Sequence, residues 1–394
     1  MLMLVSVGIA LLLLEFGIRL FFPQPLNYYN FTFVQAEGAG EMVLGAELYS
    51  GKKRMGNGPY RPNLSMQFGG VAVNINSHGW RDSEYSLQKP DGITRIMVVG
   101  DSVTFGYGVQ LEEMFTKVLE QELNRQGDRR YEVISQGGAG ANTYYQRNAI
   151  RINAPIYTPD LVILAFNLND ILPKQIFRKA ADSSSDIRQS ISRAILRLRS
   201  TLDETLRSRS HLYFIFRARA KIVLRQFGIV SPTLVRLAAF DIESAYGIAA
   251  WQETRTVLLE IASQLRKDRI PFLLAILPLE MQLSEQIADI YRREYGFAFA
   301  DSLVAGKPQE IIKDFAEQHR IAYVDLLPAF RKRSEEKTFF RIYGGSVDYN
   351  HPNPLGHRII AEEIKSALTH LVLPPNGNGQ SGRRSLAKVH HRER

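Results

Sequence analysis

Ser102 follows closely on a short apolar run that ends in Gly100. The segment from Arg95 to Gly100 (RIMVVG) predicts a buried strand, and Asp101 and Ser102 follow it at once. A serine held between a strand and the next helix can serve as a nucleophile, and its own backbone N–H can face a developing oxyanion. The alternative is that Ser102 only caps the helix that follows, a common role of serine at this position.

Two more predicted strands end in groups that could bind an oxyanion. The strand Tyr131 to Ser135 runs into the sequence QGGAGANT, whose glycines permit tight turns and bring backbone N–H groups close to a ligand. The strand Leu161 to Phe166 runs into NLND, in which Asn169 offers a neutral amide donor that does not titrate. Either segment, taken alone, is also compatible with an ordinary turn.

An aspartate and a histidine lie three residues apart near the C-terminal end, in the sequence DYNHPN. Asp348 and His351 at this spacing can form a hydrogen-bonded pair on one turn. In such a pair the histidine is a general base, and the aspartate fixes its tautomer and stabilises the imidazolium. A histidine before proline is otherwise most often a surface turn residue.

Strands and helices alternate along this part of the chain. Segments 271–277 (PFLLAIL) and 321–326 (IAYVDL) predict a fourth and a fifth strand, and segments 113–125, 143–152 and 355–371 have helical spacing. Such alternation favours a parallel sheet covered by helices, and the carboxyl ends of parallel strands share one edge of the sheet. The groups at the strand ends are therefore expected to meet at that edge.

Four short blocks in this order, GDSVTFG, GGAGANT, NLND and DYNHPN, resemble the SGNH (GDSL-like) hydrolase family. The resemblance implies a serine esterase with Ser102 as nucleophile, His351 as base and Asp348 as its partner. It implies an oxyanion hole formed by the N–H of Ser102, the N–H of Gly140 and the side-chain amide of Asn169. The block NSHGWRDSEY further upstream is similar to the lead-in of membrane-anchored bacterial members.

Two blocks depart from the family pattern: the third at Asn167, and the Asn-x-Gly-like second block at Gln136 and Gly138. Asn167 stands where the third block usually has glycine, which bears on the geometry of the turn that carries Asn169. Gly137 and Gly138 are close rivals of Gly140 as the backbone donor. Asn167 is also the sole support for another possibility, a membrane-tethered glycan-binding protein that keeps the fold without turnover.

Composition excludes several classes of protein. The chain of 394 residues has no cysteine, which excludes disulfides, thiolate metal sites and cysteine nucleophiles. Its net charge of +9 is accompanied by no nucleic-acid-binding motif, so we expect no nucleic-acid partner. No two histidines have ligand spacing on a predicted element apart from His390 and His391 in the tail, and we expect neither a metal nor another cofactor.

The N-terminus is strongly apolar. Residues 1–22 (MLMLVSVGIALLLLEFGIRLFF) are long enough to cross a bilayer as a helix, and we predict a single membrane span. The alternatives are a cleaved signal peptide and a first helix packed on the domain, because Glu15 and Arg19 share one helix face and can pair. With a span, the remaining chain would lie in the periplasm or outside the cell, attached to the cytoplasmic membrane.

The predicted organisation has four parts. The span at 1–22 precedes a linker and small β-rich lead-in at 23–90, a hydrolase domain at 91–372 and a disordered basic tail at 373–394. A basic, amphipathic helical insertion interrupts the domain at about 172–247. It is interpreted as a helical element packed on the domain edge or, alternatively, as a lid or a surface that rests on anionic lipid.

The fold expected is a flavodoxin-like α/β/α sandwich with a five-stranded parallel sheet of order 2-1-3-4-5. The activity expected is hydrolysis of O-acyl esters, with O-acetyl groups of cell-envelope or extracellular carbohydrate as the favoured substrate. A lipid or lysophospholipid ester, and transfer of the acyl group to a sugar by the same residues, are the alternatives.

Overall fold

The computed structural model describes most of the chain in several stretches: residues 2–23, 58–60, 62–68, 71–125, 129–171, 206, 209–226, 237–343 and 346–370. The predicted linker up to residue 57, most of the first half of the insertion and the predicted basic tail lie outside the described residues.

A five-stranded parallel sheet forms the centre of the molecule. Its strands are β3 (Ile93–Gly100), β4 (Arg130–Gly137), β5 (Leu161–Asn167), β6 (Phe272–Leu277) and β7 (Ala322–Asp325). They lie in the order β4-β3-β5-β6-β7, and every neighbouring pair is parallel. Counted among these five strands the order is 2-1-3-4-5, as the sequence predicted.

The strands consist of apolar residues because both faces of the sheet are covered. Every residue of β5 is buried, and so are the last seven residues of β3. Near-continuous apolar runs of this kind are typical of parallel sheets packed between helices.

Eleven α-helices are present in the described residues: α1 (Leu2–Phe21), α2 (Ser102–Phe105), α3 (Phe115–Asn124), α4 (Thr143–Tyr157), α5 (His211–Gln226), α6 (Ala245–Lys267), α7 (Glu285–Asp289), α8 (Asp301–Ala305), α9 (Lys307–Gln318), α10 (Leu327–Lys332) and α11 (Pro354–His370). Helix α11 packs against α3 and α10, whereas α4 packs against α6. Trp251 of α6 meets Phe315 of α9 edge to face at 5.6 Å. The two groups of helices and the sheet form the expected α/β/α sandwich.

The described part of the lead-in, from residue 58 to 90, contains an antiparallel hairpin of β1 (Ser65–Phe68) and β2 (Val71–Asn74). Its buried residues Tyr60, Val73 and Ile75 form a small apolar cluster with Phe105 of α2. The lead-in is thus packed directly against the segment that carries Ser102.

Two charged residues of the lead-in strengthen this packing. The buried guanidinium of Arg81 donates to the backbone carbonyls of Phe105 (3.2 Å) and Gly106. The buried carboxylate of Asp82 pairs with Lys117 at 2.6 Å. The first contact holds the end of α2, and the second holds α3.

The N-terminal helix α1 packs against α5. No helix of the described residues is long and apolar enough to cross a membrane, so the prediction of a spanning helix at 1–22 is not supported. The charged residues of α1 are engaged with protein groups: Arg19 pairs with Glu15 at 2.7 Å, and Glu15 accepts the backbone N–H of His211 (3.0 Å) and of Leu212 (2.8 Å).

Candidate active site

Ser102 is the first residue of α2, directly beyond the end of β3. Asp101 caps this helix, because its carboxylate accepts the N–H of Val103 at 2.9 Å. A Cβ at Gly100 would lie 2.1 Å from Oγ1 of Thr104, so only glycine allows the strand to turn into the helix this closely. Ser102 is 8% exposed, which leaves its hydroxyl within reach of the surface but fixed in position.

A second antiparallel hairpin consists of β8 (Ile342–Tyr343) and β9 (Ser346–Val347), and Asp348 and His351 lie on the loop between β9 and α11. Asp348 Oδ1 accepts the backbone N–H of Asn350 and of His351, each at 3.1 Å, which makes the loop a compact turn. Its other oxygen lies 2.7 Å from His351 Nδ1, and His351 Nε2 lies 2.8 Å from Ser102 Oγ. Since the carboxylate can only accept, Nδ1 carries the proton and Nε2 accepts the serine hydroxyl.

Charge controls the basicity of His351. Burial lowers the pKa of its imidazole, but the charge and hydrogen bond of Asp348, with the charge of Asp101, outweigh burial and raise it above its ordinary value. A raised pKa makes the imidazole a stronger proton acceptor, as a general base requires.

The loop after β4 forms a tight turn from Gly138 to Ala141. The N–H of Gly138 donates to Gly100 O at 3.1 Å, and the N–H of Ala141 donates back to Gly138 O at 2.9 Å. Gly140 has φ +73°, the left-handed conformation that the third residue of a type II turn requires. Gly137 still belongs to the sheet, where it pairs with Gly100. Among the described residues of the turn from Gly138 to Ala141, the N–H of Gly140 is the one without a hydrogen-bond partner.

Asn169 lies in a short 3-10 turn at the end of β5. Asp170 holds this turn, because its Oδ2 accepts the N–H of Asn167 at 3.0 Å and the amide of Gln146 at 2.8 Å. The side chain of Asn169 acts to lower the pKa of the buried Asp101 carboxyl, against the larger raising effect of burial. Because β5 lies beside β3 in the sheet, Asn169 and Ser102 follow the ends of two neighbouring strands.

Asn167 does not disturb this turn. It is fully buried and has φ −91°, an ordinary extended conformation, so the position does not need the freedom of glycine. Its Oδ1 lies 3.5 Å from the N–H of Asn169, at the start of the turn.

Comparison with known proteins identifies the family of the chain. A profile of the GDSL-like Lipase/Acylhydrolase family matches residues 98–359, two thirds of the chain, from β3 into α11. The chain belongs to this family. Members of this family hydrolyse esters, and the chain is an enzyme of this class. The matched region contains the sequence blocks of Ser102, Asn169 and His351.

Several solved structures are similar to the chain at low identity. An acetyl xylan esterase, AlAXEase, is 17% identical, covers 70% of this chain and 99% of its own, and has a TM-score of 0.37. A catalytic mutant of the acetylxylan esterase Axe2 from Geobacillus stearothermophilus is 13% identical, with coverage of 71% and 96% and a TM-score of 0.38. TesA is 14% identical, with coverage of 71% and 99% and a TM-score of 0.37. No curated protein matches the chain significantly.

Two tyrosines at the site have no counterpart among the residues that the sequence singled out. The ring of Tyr107 stacks on the imidazole of His351, with centroids 4.2 Å apart and planes inclined by 30°. The hydroxyl of Tyr60 accepts the N–H of Ala139 at 2.7 Å. Neither residue belongs to a periodic pattern with its partner, so no spacing in the sequence reveals these contacts.

A buried network holds the loop of Asp348 and His351 against the end of β6. Glu280 N donates to Tyr349 O at 2.9 Å, and Arg341 pairs with the Glu280 carboxylate at 2.6 Å. The hydroxyl of Tyr291 lies 2.7 Å from Asp348 O and 2.5 Å from the carboxylate of Glu280. The residues that follow β6 thus hold the loop that carries Asp348 and His351 in place.

Proposed function

We propose that the protein is a serine esterase in which Ser102, His351 and Asp348 form the catalytic triad. The main support for this proposal is a continuous chain of two hydrogen bonds, of 2.7 Å and 2.8 Å. It runs from the Asp348 carboxylate through His351 to the Ser102 hydroxyl. Such a chain activates a hydroxyl that is otherwise a weak nucleophile.

The reaction proceeds by double displacement. Ser102 Oγ forms a bond to the acyl carbon while its proton passes to His351 Nε2. The carbonyl oxygen becomes an oxyanion, which accepts hydrogen bonds from Ser102 N–H, Gly140 N–H and the Asn169 amide. The tetrahedral intermediate then collapses: the ester C–O bond breaks, and His351 gives its proton to the leaving alcohol. Water, deprotonated by His351, attacks the acyl-enzyme and releases the acid and the free serine.

The substrate proposed is a short O-acyl ester, O-acetyl in the first instance, of carbohydrate in the cell envelope or outside the cell. Its support is the resemblance of the block NSHGWRDSEY to the lead-in of membrane-anchored bacterial members of the family. A periplasmic or extracellular location is part of the same proposal. Release of acetate from O-acetylated polysaccharide, compared with hydrolysis of aryl esters of two to sixteen carbons, tests the substrate class.

A lipid ester is the second candidate, because a specific surface favours it. Helices α1 and α5 expose large apolar side chains, among them Leu12 (71%), Leu13 (67%) and Phe216 (58%). Preference for long acyl chains in the aryl ester series would favour this candidate over the carbohydrate ester. Appearance of the labelled acyl group on a sugar acceptor instead of in the free acid would assign an acyltransferase.

The decisive experiment replaces Ser102 and uses an aryl acetate. We expect Ser102→Ala to lose at least about 10³-fold in kcat, because the nucleophile is gone. Ser302→Ala, at a half-buried serine of α8, should retain full activity. A fluorophosphonate should label the wild-type protein at Ser102 and leave the alanine variant unlabelled. Full activity of Ser102→Ala, or a wild-type protein that resists the probe, would instead support a binding protein without turnover.

A further inference from the structure

Tyr60 of the lead-in reaches the glycine turn after β4. Its hydroxyl accepts the backbone N–H of Ala139 at 2.7 Å, although the two residues are 79 positions apart in the sequence. The side chain is 5% exposed, and its ring packs on Phe105 with centroids 5.2 Å apart. The ring therefore lies between the helix of Ser102 and the turn that contains Gly140.

The backbone of Tyr60 is as constrained as its side chain. Its N–H donates to Gly79 O at 3.2 Å, and Gly79 has φ +80°. A Cβ at Gly79 would lie 2.7 Å from Tyr60 O, so the two chain segments pass each other at backbone contact. With the ring in the cluster of Val73 and Ile75, the hydroxyl has one accessible position.

Hydrogen bonding leaves one N–H of the glycine turn available. Gly138 and Ala141 donate to carbonyls, and Ala139 donates to Tyr60. Without the hydroxyl, Ala139 N–H would lose its partner, and the turn would lose its attachment to the lead-in. The peptide between Ala139 and Gly140 could then rotate, as it does between type I and type II turns, and turn the N–H of Gly140 away.

We propose, building on the esterase function above, that Tyr60 is a positioning residue of the oxyanion hole. By holding the N–H of Ala139, its hydroxyl keeps the turn in the form that presents Gly140 N–H to the oxyanion. The lead-in is then a functional part of the active site. Tyr60 does not touch the reacting atoms and acts through the backbone of the turn.

Tyr60→Phe tests this role because it removes the hydroxyl and keeps the buried ring. Loss of a whole oxyanion donor costs about 10²–10³ in kcat, so a donor that is only misaligned should cost about tenfold. We expect this loss in kcat with KM changed less than about twofold, because donors of this kind act on the transition state. The affinity for a boronate that mimics the tetrahedral intermediate should fall by the same factor as kcat/KM.

Tyr323→Phe is the matched control. Its hydroxyl donates to Glu317 at 2.9 Å on the exposed side of β7, far along the sheet from Ser102. The same chemical change there should leave kcat, KM and boronate affinity unaltered. The fraction of each variant that a fluorophosphonate labels at completion corrects for misfolded protein.

The outcomes separate the two proposals. Wild-type kcat in Tyr60→Phe together with an inactive Ser102→Ala overturns the role of Tyr60 and leaves the esterase intact. A lower kcat that disappears after correction for the labelled fraction also overturns it, because the hydroxyl would then serve folding alone. An active Ser102→Ala overturns the esterase itself.

Discussion

Asp101 and Glu15 both accept backbone N–H groups at the start of a helix, but their pKa values move in opposite directions. Asp101 caps α2 at the active site, and Glu15 of α1 caps α5. Burial raises the pKa of Asp101, although the N–H of Val103 and the charge of His351 oppose it. Burial also raises the pKa of Glu15, but the backbone N–H of Leu212, Arg19 and further donors outweigh it and lower the pKa to about 2.

The surroundings of the two groups explain the difference. Asp101 is buried, as is a second acid, Asp170, whose pKa is raised well above its ordinary value by burial and by the charge of Asp101. Glu15 has a cation, Arg19, at 2.7 Å and lies near solvent. Hydrogen bonds from backbone N–H groups thus help to stabilise the charged form of Glu15. At Asp101 the same kind of bond only partly offsets the cost of burying the charge. Groups with such perturbed pKa values are typical of sites that carry out chemistry.

At the active site, we expect Asp348→Asn to cause the largest loss of kcat. An asparagine can donate to Nδ1 and so place the proton on Nε2, where it blocks acceptance of the serine proton. We expect kcat to fall by about 10³–10⁴-fold at pH 7. Because the Asp348 charge raises the pKa of His351, the residual activity should also reach its plateau at lower pH than in the wild type.

The pH dependence of kcat/KM on an aryl acetate checks both statements. In the wild type, activity should rise with pH through the pKa of His351, which lies above about 6.5. Asp325→Asn is the control. Asp325 is the last residue of β7 and caps α10 by accepting the N–H of Leu327 at 3.1 Å. An acid limb of unchanged midpoint in Asp348→Asn would contradict the assigned base.

A smaller loss is expected from Asn169→Ala, which removes one oxyanion donor and keeps the triad. We expect kcat to fall by about 10²–10³-fold with little change in KM. Asn124→Ala, which removes an exposed amide that binds the backbone of Tyr131 at 3.0 Å, should leave kcat unchanged. Equal loss in kcat and in the labelled fraction would show that Asn169 serves only the fold.

Much of the site edge could be predicted from the sequence because each group is next to its own strand. Ser102, Asn169 and the glycine turn follow buried apolar runs by one to a few residues, and the structure gives the predicted strand order. Local spacing was therefore sufficient to find these residues and to expect them at one edge of the sheet. It could not decide among the glycines, because that depended on which N–H groups the fold had already paired.

Contacts between distant segments were beyond the sequence. Tyr60 and Ala139, or Tyr107 and His351, meet only because the lead-in and the loop before α11 pack on α2. The N-terminal helix shows the same limit in reverse. Its apolar run predicted a membrane span, while its charges at Glu15 and Arg19, which pair within the protein, favoured packing on the domain.

Asp101→Asn sharpens the comparison with Glu15 through its pH dependence. The pKa of Asp101 is above its unfolded value, so its contribution to stability is present at low pH and is lost as pH rises through the folded pKa. Relative to the wild type, the asparagine variant should therefore become more stable as pH rises. Since Asp101 also raises the pKa of His351, and the base itself remains, we expect kcat/KM at pH 7 to fall by about tenfold or less.

Denaturant unfolding of both proteins at several pH values between 4 and 8 measures this effect. A stability difference that does not change with pH, or one that favours the wild type at high pH, would contradict the raised pKa. Asp325→Asn is again a useful reference, because burial raises the pKa of that carboxyl too but it lies away from His351.

Glu15→Gln should have the smallest effect on activity and the opposite pH dependence. The pKa of Glu15 in the folded protein, about 2, is below its ordinary value of 4.5, so its contribution is present above pH 4.5 and is lost as pH falls toward 2. Glutamine can accept one N–H of α5 but carries no charge for Arg19 or for the helix N-terminus. We expect faster hydrogen exchange at the amides of His211 and Leu212 at pH 7, and unchanged kcat on a soluble aryl acetate.

The contrast between wild type and Glu15→Gln should therefore disappear on acidification, whereas the contrast between wild type and Asp101→Asn should grow as the solution is made more alkaline. Equal exchange rates in wild type and Glu15→Gln at pH 7 would show that the carboxylate does not hold α1 to α5. Helix α5 contacts β9, which directly precedes Asp348. If Glu15→Gln lost as much kcat as Asn169→Ala, these contacts would transmit the position of α1 to His351.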